Sequence, residues 1–378
     1  MRPCRRAVRR ETGGHRGRRA QATRGDRRAD GRRGEGRRRM KTSWRLLLLP
    51  VAVFVAAVAV AAVVIALSGS PPLPALAAWW EGAVSAPGAL PESLLNATPL
   101  LFTGLAVAVG LLAGQFNIGV EGQLLMGALA SAWVGFAVSG LPAPLHALLA
   151  LLVGALVGGV WGWIPGILKA WRGAHEVITT IMMNYIAIYL TQYLVTKVWK
   201  DPNSMSPQTP EALPSAWLPI LVGGTRLSMG LLLALATALV LWYLLKRTVW
   251  GYELRAVGAN AEAARAAGVR VSRVIWGSMA LSGAIGGLAG AVEVLGVHHR
   301  YYDQFSPGYG FDGIAVALLG NNHPLGAVLA ALVFGAMKNG AVYMQSVTVP
   351  AVPREITTVV QAVVIFFLAA IRFQRRSG

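Results

Sequence analysis

A single cysteine, Cys4, stands in this chain of 378 residues, so nothing after it can form a disulfide or a cysteine metal site. Charge is scarce too: Asp, Glu, Lys and Arg make up 13% of the residues, which excludes an ordinary soluble domain. No Gly-Lys dipeptide occurs, and a P-loop ends its glycine-rich turn on that pair, so the chain carries no such ATP site. No Ser/His/Asp, Cys/His or paired-carboxylate arrangement supports catalysis. The run His298-His299-Arg300-Tyr301-Tyr302-Asp303 turns its two imidazoles different ways on a helix and offers no carboxylate at ligand spacing. No metal is expected there.

What the chain has instead is apolar length. Hydrophobic residues make 55% of it and its mean hydropathy is +0.53. From Leu46 to Ile371, long Leu/Ala/Val/Gly stretches alternate with short polar connections. A hydrocarbon layer of about 30 Å takes about 20 helical residues to cross, and Leu46–Leu67 is uncharged over that length. Lipid cannot satisfy backbone polar groups, so such runs must be helical, and the fold expected is an all-α polytopic integral membrane bundle. Candidate spans are Leu46–Leu67, Leu94–Leu112, Leu124–Val138, His146–Leu168, Val177–Val195, Leu227–Leu245, Val274–Leu295, Leu325–Tyr343 and Ile356–Ile371, with Gly313–Leu319 as a half span.

Charge orients these spans. Residues 1–39 hold sixteen arginines and four acids, almost without large apolar side chains, and cannot bury a core. They read as a disordered Arg-rich arm outside the native protein, with Met40-Lys41-Thr42-Ser43-Trp44-Arg45 as a natural start and 40–378 as the transmembrane domain. The arm accounts for most of the net charge of +19, so nucleic-acid binding does not follow from that total. Leu46–Leu67 exceeds the usual signal-peptide core and lacks a clear small-residue cleavage site, and reads as a retained span. Lys246, Arg247, Arg255, Arg265, Arg270 and Arg273 gather at one connection, 246–273, which is expected to be cytoplasmic. Lys169 and Arg172 mark a second inner loop, whereas Trp79–Glu92 and Asp201–Ala216 read as outer loops. Bases bracket both ends, so both termini are expected in the cytoplasm and the crossings should be even in number. Ten helices follow if the half span counts, and eight is the other consistent number.

Small residues recur four apart at Gly110/Gly114, Gly154/Gly158/Gly162, Gly283/Gly287 and Gly286/Gly290, a spacing that lets helix backbones approach closely. Polar side chains at membrane depth are costly and are functional candidates. Asn117, Glu121 and Gln123 fall in a glycine-containing break between two apolar runs, Asn184 lies in the middle of a span, and Glu293 lies near the end of another. Their amides and carboxylates could bind a polar solute or tie helices together. Glu176, beside His175, reads as an interfacial anchor, and Trp79, Trp80, Tyr301 and Tyr302 as interface-belt aromatics. In the basic connection, Asn260 is a good N-cap, Ala261–Ala267 a strong helix former with Glu262 in its first turn, and Gly268 a terminating residue. A short capped helix follows, small-faced and flanked by Arg255 and Arg265, which suits docking into a partner's groove.

The pattern Arg255-Ala-Val-Gly258-x-Asn260-x-x-Ala263-Ala264-x-x-x-Gly268-Val269 resembles the coupling-loop signature of permease subunits of bacterial ABC importers, in the family serving branched-chain amino acids, monosaccharides and nucleosides. Phe116-Asn-Ile-Gly-Val-Glu-Gly-Gln123, Glu176-Val-Ile-Thr-Thr-Ile-Met-Met-Asn-Tyr-Ile-Ala187 and Phe305-Ser-Pro-Gly-Tyr-Gly-Phe-Asp-Gly-Ile-Ala-Val-Ala-Leu-Leu-Gly320 point the same way, and their form looks like the nucleoside branch. The resemblance implies a transport subunit rather than an enzyme, sitting in the bacterial inner membrane and moving a small polar solute inward by alternating access. It implies no cofactor in this chain, with ATP bound by a partner ATP-binding cassette ATPase. A second permease subunit in a heterodimer and an extracytoplasmic substrate-binding lipoprotein are the other implied partners. Gly251, Arg255, Gly258, Asn260, Ala263, Ala264 and Gly268 are the implied ATPase-coupling residues, and Asn117, Glu121, Gln123, Asn184 and Glu293 the expected solute pathway. The competing expectation is an ion-coupled secondary transporter or facilitator working without an ATPase.

Overall fold

The structure, a computed structural model, describes residues 58–356 together with 358, 359, 362 and 363. The Arg-rich arm, the presumed start at Met40 and most of the first and last expected spans lie outside the described residues. Among those described, α1 (Val58–Leu67) belongs to the first expected span. After it come α2 (Pro72–Trp80), α3 (Ala89–Leu112), α4 (Val120–Ala137), α5 (Ala143–Arg172) and α6 (Glu176–Tyr193). The second half holds α7 (Gly230–Arg247), α8 (Val249–Ala259), α9 (Ala261–Ala266), α10 (Val271–Glu293), α11 (Tyr309–Leu319) and α12 (Pro324–Val347). Seven of these, α3 to α7, α10 and α12, are long and apolar enough to cross a membrane, with α6 and α10 extended by π-helical turns to Val198 and His298. The protein is therefore an all-helical, polytopic membrane bundle, with no strand among the described residues.

Helix ends follow local chemistry. Pro142 leads into α5, and the helix stops at Gly173, whose φ of +69° only glycine adopts without strain, with Lys169 and Arg172 in its last turn. Pro324 opens α12 while the His323 ring accepts from the Leu325 amide at 3.2 Å. At the far end of α10, Ala212 N–H donates to His299 O at 2.7 Å and Thr209 N–H to Tyr301 O at 2.8 Å, which pairs residues 207–212 with 299–303. This pairing overturns the belt assignment of Tyr301. Its ring is buried and stacks on Phe305 with centroids 5.2 Å apart. Trp79 is half-buried and donates from its indole to Met337 O at 3.1 Å, whereas Trp80 is exposed.

Two boundaries also differ from expectation. The stretch Trp79–Glu92, expected as a loop, holds the end of α2, a π-helical turn at Glu81–Ser85 and the first turn of α3, because its apolar side chains pack on α12. Glu121 and Gln123 lie inside the first turn of α4, and the break is shorter, at residues 113–119.

Glycine sets how closely the central helices approach. An ideal Cβ on Gly158 of α5 would stand 2.6 Å from Gly283 O of α10, and Cβ atoms on Gly283 and Gly287 would land on the carbonyl oxygens of Gly158 and Gly154. The two backbones thus touch directly, which in lipid supplies by van der Waals contact the cohesion that water would otherwise drive. α4 joins the same seam, since a Cβ on Gly290 would land on Leu124 O.

Candidate functional site

Residues 113–119 are irregular backbone inside the bundle, tolerable in a membrane only if every polar group finds a partner. The side chains singled out from sequence supply several of those partners, while the side-chain Oε1 of Gln115 stays buried without one among the described residues. Asn184 of α6, buried, donates to Ile118 O at 2.9 Å and accepts from Gly122 N–H at 2.8 Å, so its amide replaces a missing peptide neighbour. Asn117 and Gln123 exchange amide hydrogen bonds at 3.1 and 3.2 Å, and Asn117 also donates to Ser282 Oγ at 2.8 Å. Ser282 in turn donates to Ala106 O at 2.6 Å, so one network links α3, the break, α4 and α10. The Gly119 amide closes onto Asn117 Oδ1 at 2.9 Å. In this conformation the three amides hold the break in shape. Ser282 escaped the sequence reading because it lies among the small residues of α10, and its only signal was a hydroxyl at membrane depth.

Glu121 does something different. Its carboxylate accepts from Gly310 N–H, the second residue of α11, at 2.6 Å, placing negative charge at a helix N-terminus where free amides and the helix dipole favour it. The Ser306 hydroxyl accepts from the Gly308 and Tyr309 amides at 3.2 Å on the same turn. Glu293, buried at the end of α10, faces His298 at 3.6 Å.

Two further charges join them. Lys338 of α12 pairs with Asp312 of α11 at 2.5 Å and lies 4.9 Å from the centre of the Tyr309 ring. A lysine inside an apolar helix was visible in the sequence but diluted by the hydropathy around it. At the same end of the bundle Arg226 binds Glu92 at 2.9 Å, and this carboxylate holds the guanidinium above its ordinary pKa. His299, stacked on Trp217 at 4.0 Å, is held below the usual histidine range by burial. The arrangement is a polar track from the break, through the first turns of α4 and α11, to a mixed-charge cluster at the Glu293 end of α10. It can hold hydroxyls, amides and carbonyls of a solute, and it carries no nucleophile poised beside a base.

The second region is the basic connection, which folds as two helices rather than one. Thr248 accepts from Gly251 N–H at 3.1 Å and starts α8, an element not expected from sequence. Asn260 caps α9 by accepting from the Glu262 and Ala263 amides, each at 3.0 Å, and Gly268 follows it with a φ of +86°. The implied coupling residues divide by direction. Arg255, Gly258, Asn260, Ala263 and Gly268 are exposed, and the Arg255 guanidinium also donates to Leu245 O. Gly251 and Ala264 are buried, because one residue per turn of these short helices must pack back on the bundle, and Ala264 joins Leu254, Val257 and Val271 there. Gly258 lies against the end of α3, where a Cβ would land on Leu112 O and the Gly114 backbone is close by. The surface helices thus touch the very turn that begins the break.

The family described as branched-chain amino acid transport system / permease component matches residues 90–369. The chain is 43% identical over 333 residues to the guanosine ABC transporter permease protein NupP of Bacillus subtilis (strain 168), covering 86% of this chain and 95% of that one. It is 34% identical over 339 residues to the nucleoside ABC transporter permease protein NupB of Lactococcus lactis subsp. cremoris (strain MG1363), covering 87% and 92%. Over 350 residues it is 35% identical to the glucose ABC transporter permease protein TsgB13 of Haloferax volcanii, covering 90% and 91%. No solved structure matches the chain.

Proposed function

The chain belongs to the branched-chain amino acid transport permease family, as the transmembrane permease of an ABC importer and not an enzyme, and from that premise we propose that its solute is a nucleoside. The observation that carries the proposal is the 43% identity to the guanosine permease over nearly the whole of that protein. The buried amides, carboxylates and hydroxyls along the track suit a solute rich in hydroxyls and base edges. A monosaccharide is the second reading, favoured by the likeness to the glucose permease.

Such a permease works with an ATPase and a substrate-binding protein. In our reading the ATPase binds the ATP, grips the exposed side of α8 and α9, and moves them as a rigid lever against α7 and α10. Gly258 passes that displacement to Leu112 and Gly114, hence to the break and to Glu121. Both termini and α8–α9 then face the cytoplasm of a bacterial inner membrane, and a second, different permease subunit completes the pore. A lipid-anchored binding protein delivers the solute at the Glu293 end. Asn117, Gln123 and Asn184 shape the route, while Glu121 and Glu293 line it.

Uptake tests this directly. The permease is purified with its neighbouring subunits, placed in vesicles loaded with ATP, and offered labelled guanosine, glucose and leucine. ATP-dependent guanosine uptake is expected. Glucose uptake without guanosine uptake overturns the nucleoside assignment, and uptake that persists without ATP overturns the coupling scheme.

A further inference from the structure

Over their middle turns, α5, α7 and α12 turn aliphatic side chains outward: Leu152 and Leu156, Leu235 and Leu239, Leu332 and Val333. These suit hydrocarbon. α6 exposes Met182, Ile186 and Ile188 in the same way but adds tyrosines to that face, and it is the least buried of the seven spanning helices, at 22% against 83% for α3. Tyr185, Tyr189 and Tyr193 are 53%, 65% and 58% exposed, and at four-residue spacing they stand on one face of the helix. Gln192 and Thr196 border the same stripe, half-buried. Tyrosine hydroxyls are at home where a membrane meets water. Tyr185, however, lies at the middle of α6, about 13 Å from its Glu176 end at 1.5 Å per residue, where a phenol against lipid would have no hydrogen-bond partner. The far end of the stripe reaches toward α11, while the break lies on the other side of the helix. Gln192 donates to Asp303 at 3.1 Å, in the segment that leads into α11, and the opposite side of α6 carries the Asn184 that clamps the break.

We propose that Tyr185, Tyr189 and Tyr193 form a stacking surface along the translocation route, on which the flat base of the solute rests while hydroxyls on either side exchange hydrogen bonds with it. The inference rests on the nucleoside reading and deepens it. Every base has a π-face, so such a surface selects for aromatic bases as a class and discriminates weakly among them. A sugar alone gains nothing from it.

Cysteine labelling tests the placement, since Cys4 is the only thiol to remove. In a Cys4→Ser background, Tyr185→Cys, Tyr189→Cys and Tyr193→Cys are compared with Leu156→Cys and Leu239→Cys in the complete transporter in vesicles, using a membrane-impermeant methanethiosulfonate reagent. The three tyrosine positions should react, the two leucine positions should not, and guanosine should slow the reaction. In uptake, Tyr189→Phe should keep the KM for guanosine and Tyr189→Leu should raise it about 10-fold. Tyrosine positions as unreactive as the leucines overturn the proposal, as does labelling that guanosine leaves unchanged in vesicles that import guanosine. Failure of the nucleoside reading looks different: the stripe labels, but vesicles import glucose and no guanosine, and the stacking role falls with the solute.

Discussion

The Glu121 carboxylate accepts the Gly310 amide at 2.6 Å, joining the first turn of α4 to the first turn of α11 across 189 positions of sequence. Two helices that begin within the bundle are thereby pinned at their starts, and the eleven-residue α11 gains a charge at the end where its amides are free. Glu121→Ala leaves the Gly310 N–H buried without a partner and should cost about 1–3 kcal/mol, seen as a lower midpoint of thermal unfolding in detergent. Glu121→Gln keeps an acceptor and should lose clearly less. Gly310→Ala should be no milder than Glu121→Ala, because its Cβ would land on the Glu121 backbone nitrogen. Equal stability of Glu121→Ala and the wild type would show that the contact holds nothing.

The seam between α5 and α10 predicts a sharp contrast within one helix. Gly287→Ala places a methyl on the Gly154 carbonyl oxygen, whereas at Gly277 the nearest atom to a new Cβ would be Trp250 Nε1, 3.8 Å away. The first substitution should destabilise by about 1–3 kcal/mol through overpacking. The second should be neutral, or stabilising by about 0.5–1 kcal/mol, since alanine is the better helix former. Unfolding midpoints of the two variants, side by side, check this, and equal midpoints would mean that the backbones are not in contact.

Lys338 and Asp312 predict a compensating pair. Lys338→Met alone leaves a carboxylate at membrane depth with its partner gone, and Asp312→Leu alone leaves the ammonium. Each single change should destabilise more than the two together, with a coupling of about 1–3 kcal/mol in a double-mutant cycle. Additive effects would mean that the ion pair at 2.5 Å contributes nothing beyond its separate members.

Spans were legible in this sequence because lipid forces about 20 apolar residues into one helix each. The α9 cap was legible because Asn260 and Gly268 act on backbone within a few residues of themselves. Pairings were not. Asn117 and Ser282 are 165 residues apart, and Asn184 reaches Ile118 across 66; each amide announced a polar group at depth without naming its partner. Tyr301 was misread for the same reason, since a tyrosine near a span end suits an interface, and only the pairing of 207–212 with 299–303 buries it. α8 was missed because its own stretch, Val249–Ala259, carries two glycines and is too short and too weakly apolar to stand out beside the spans.

The direction of side chains on α9 separates a folding defect from a coupling defect. Ala263 is exposed beside the Asn260 cap, and Ala264, its neighbour, is buried in the same apolar core as Leu254 and Val271. A tryptophan at 263 projects outward and should leave the unfolding midpoint of the permease unchanged while reducing ATP-driven uptake at least tenfold, because the bulk now stands where the ATPase would grip. Ala264→Trp overfills the packed side and should lower the midpoint by an amount worth about 1–3 kcal/mol before any coupling is measured. Asn260→Ala should lie between them, losing about 0.5–2 kcal/mol of helix stability with the cap and some coupling with it. Midpoints from the isolated permease and uptake from the complete transporter give the two axes. Normal uptake with tryptophan at 263 would move the contact with the motor away from α9 altogether.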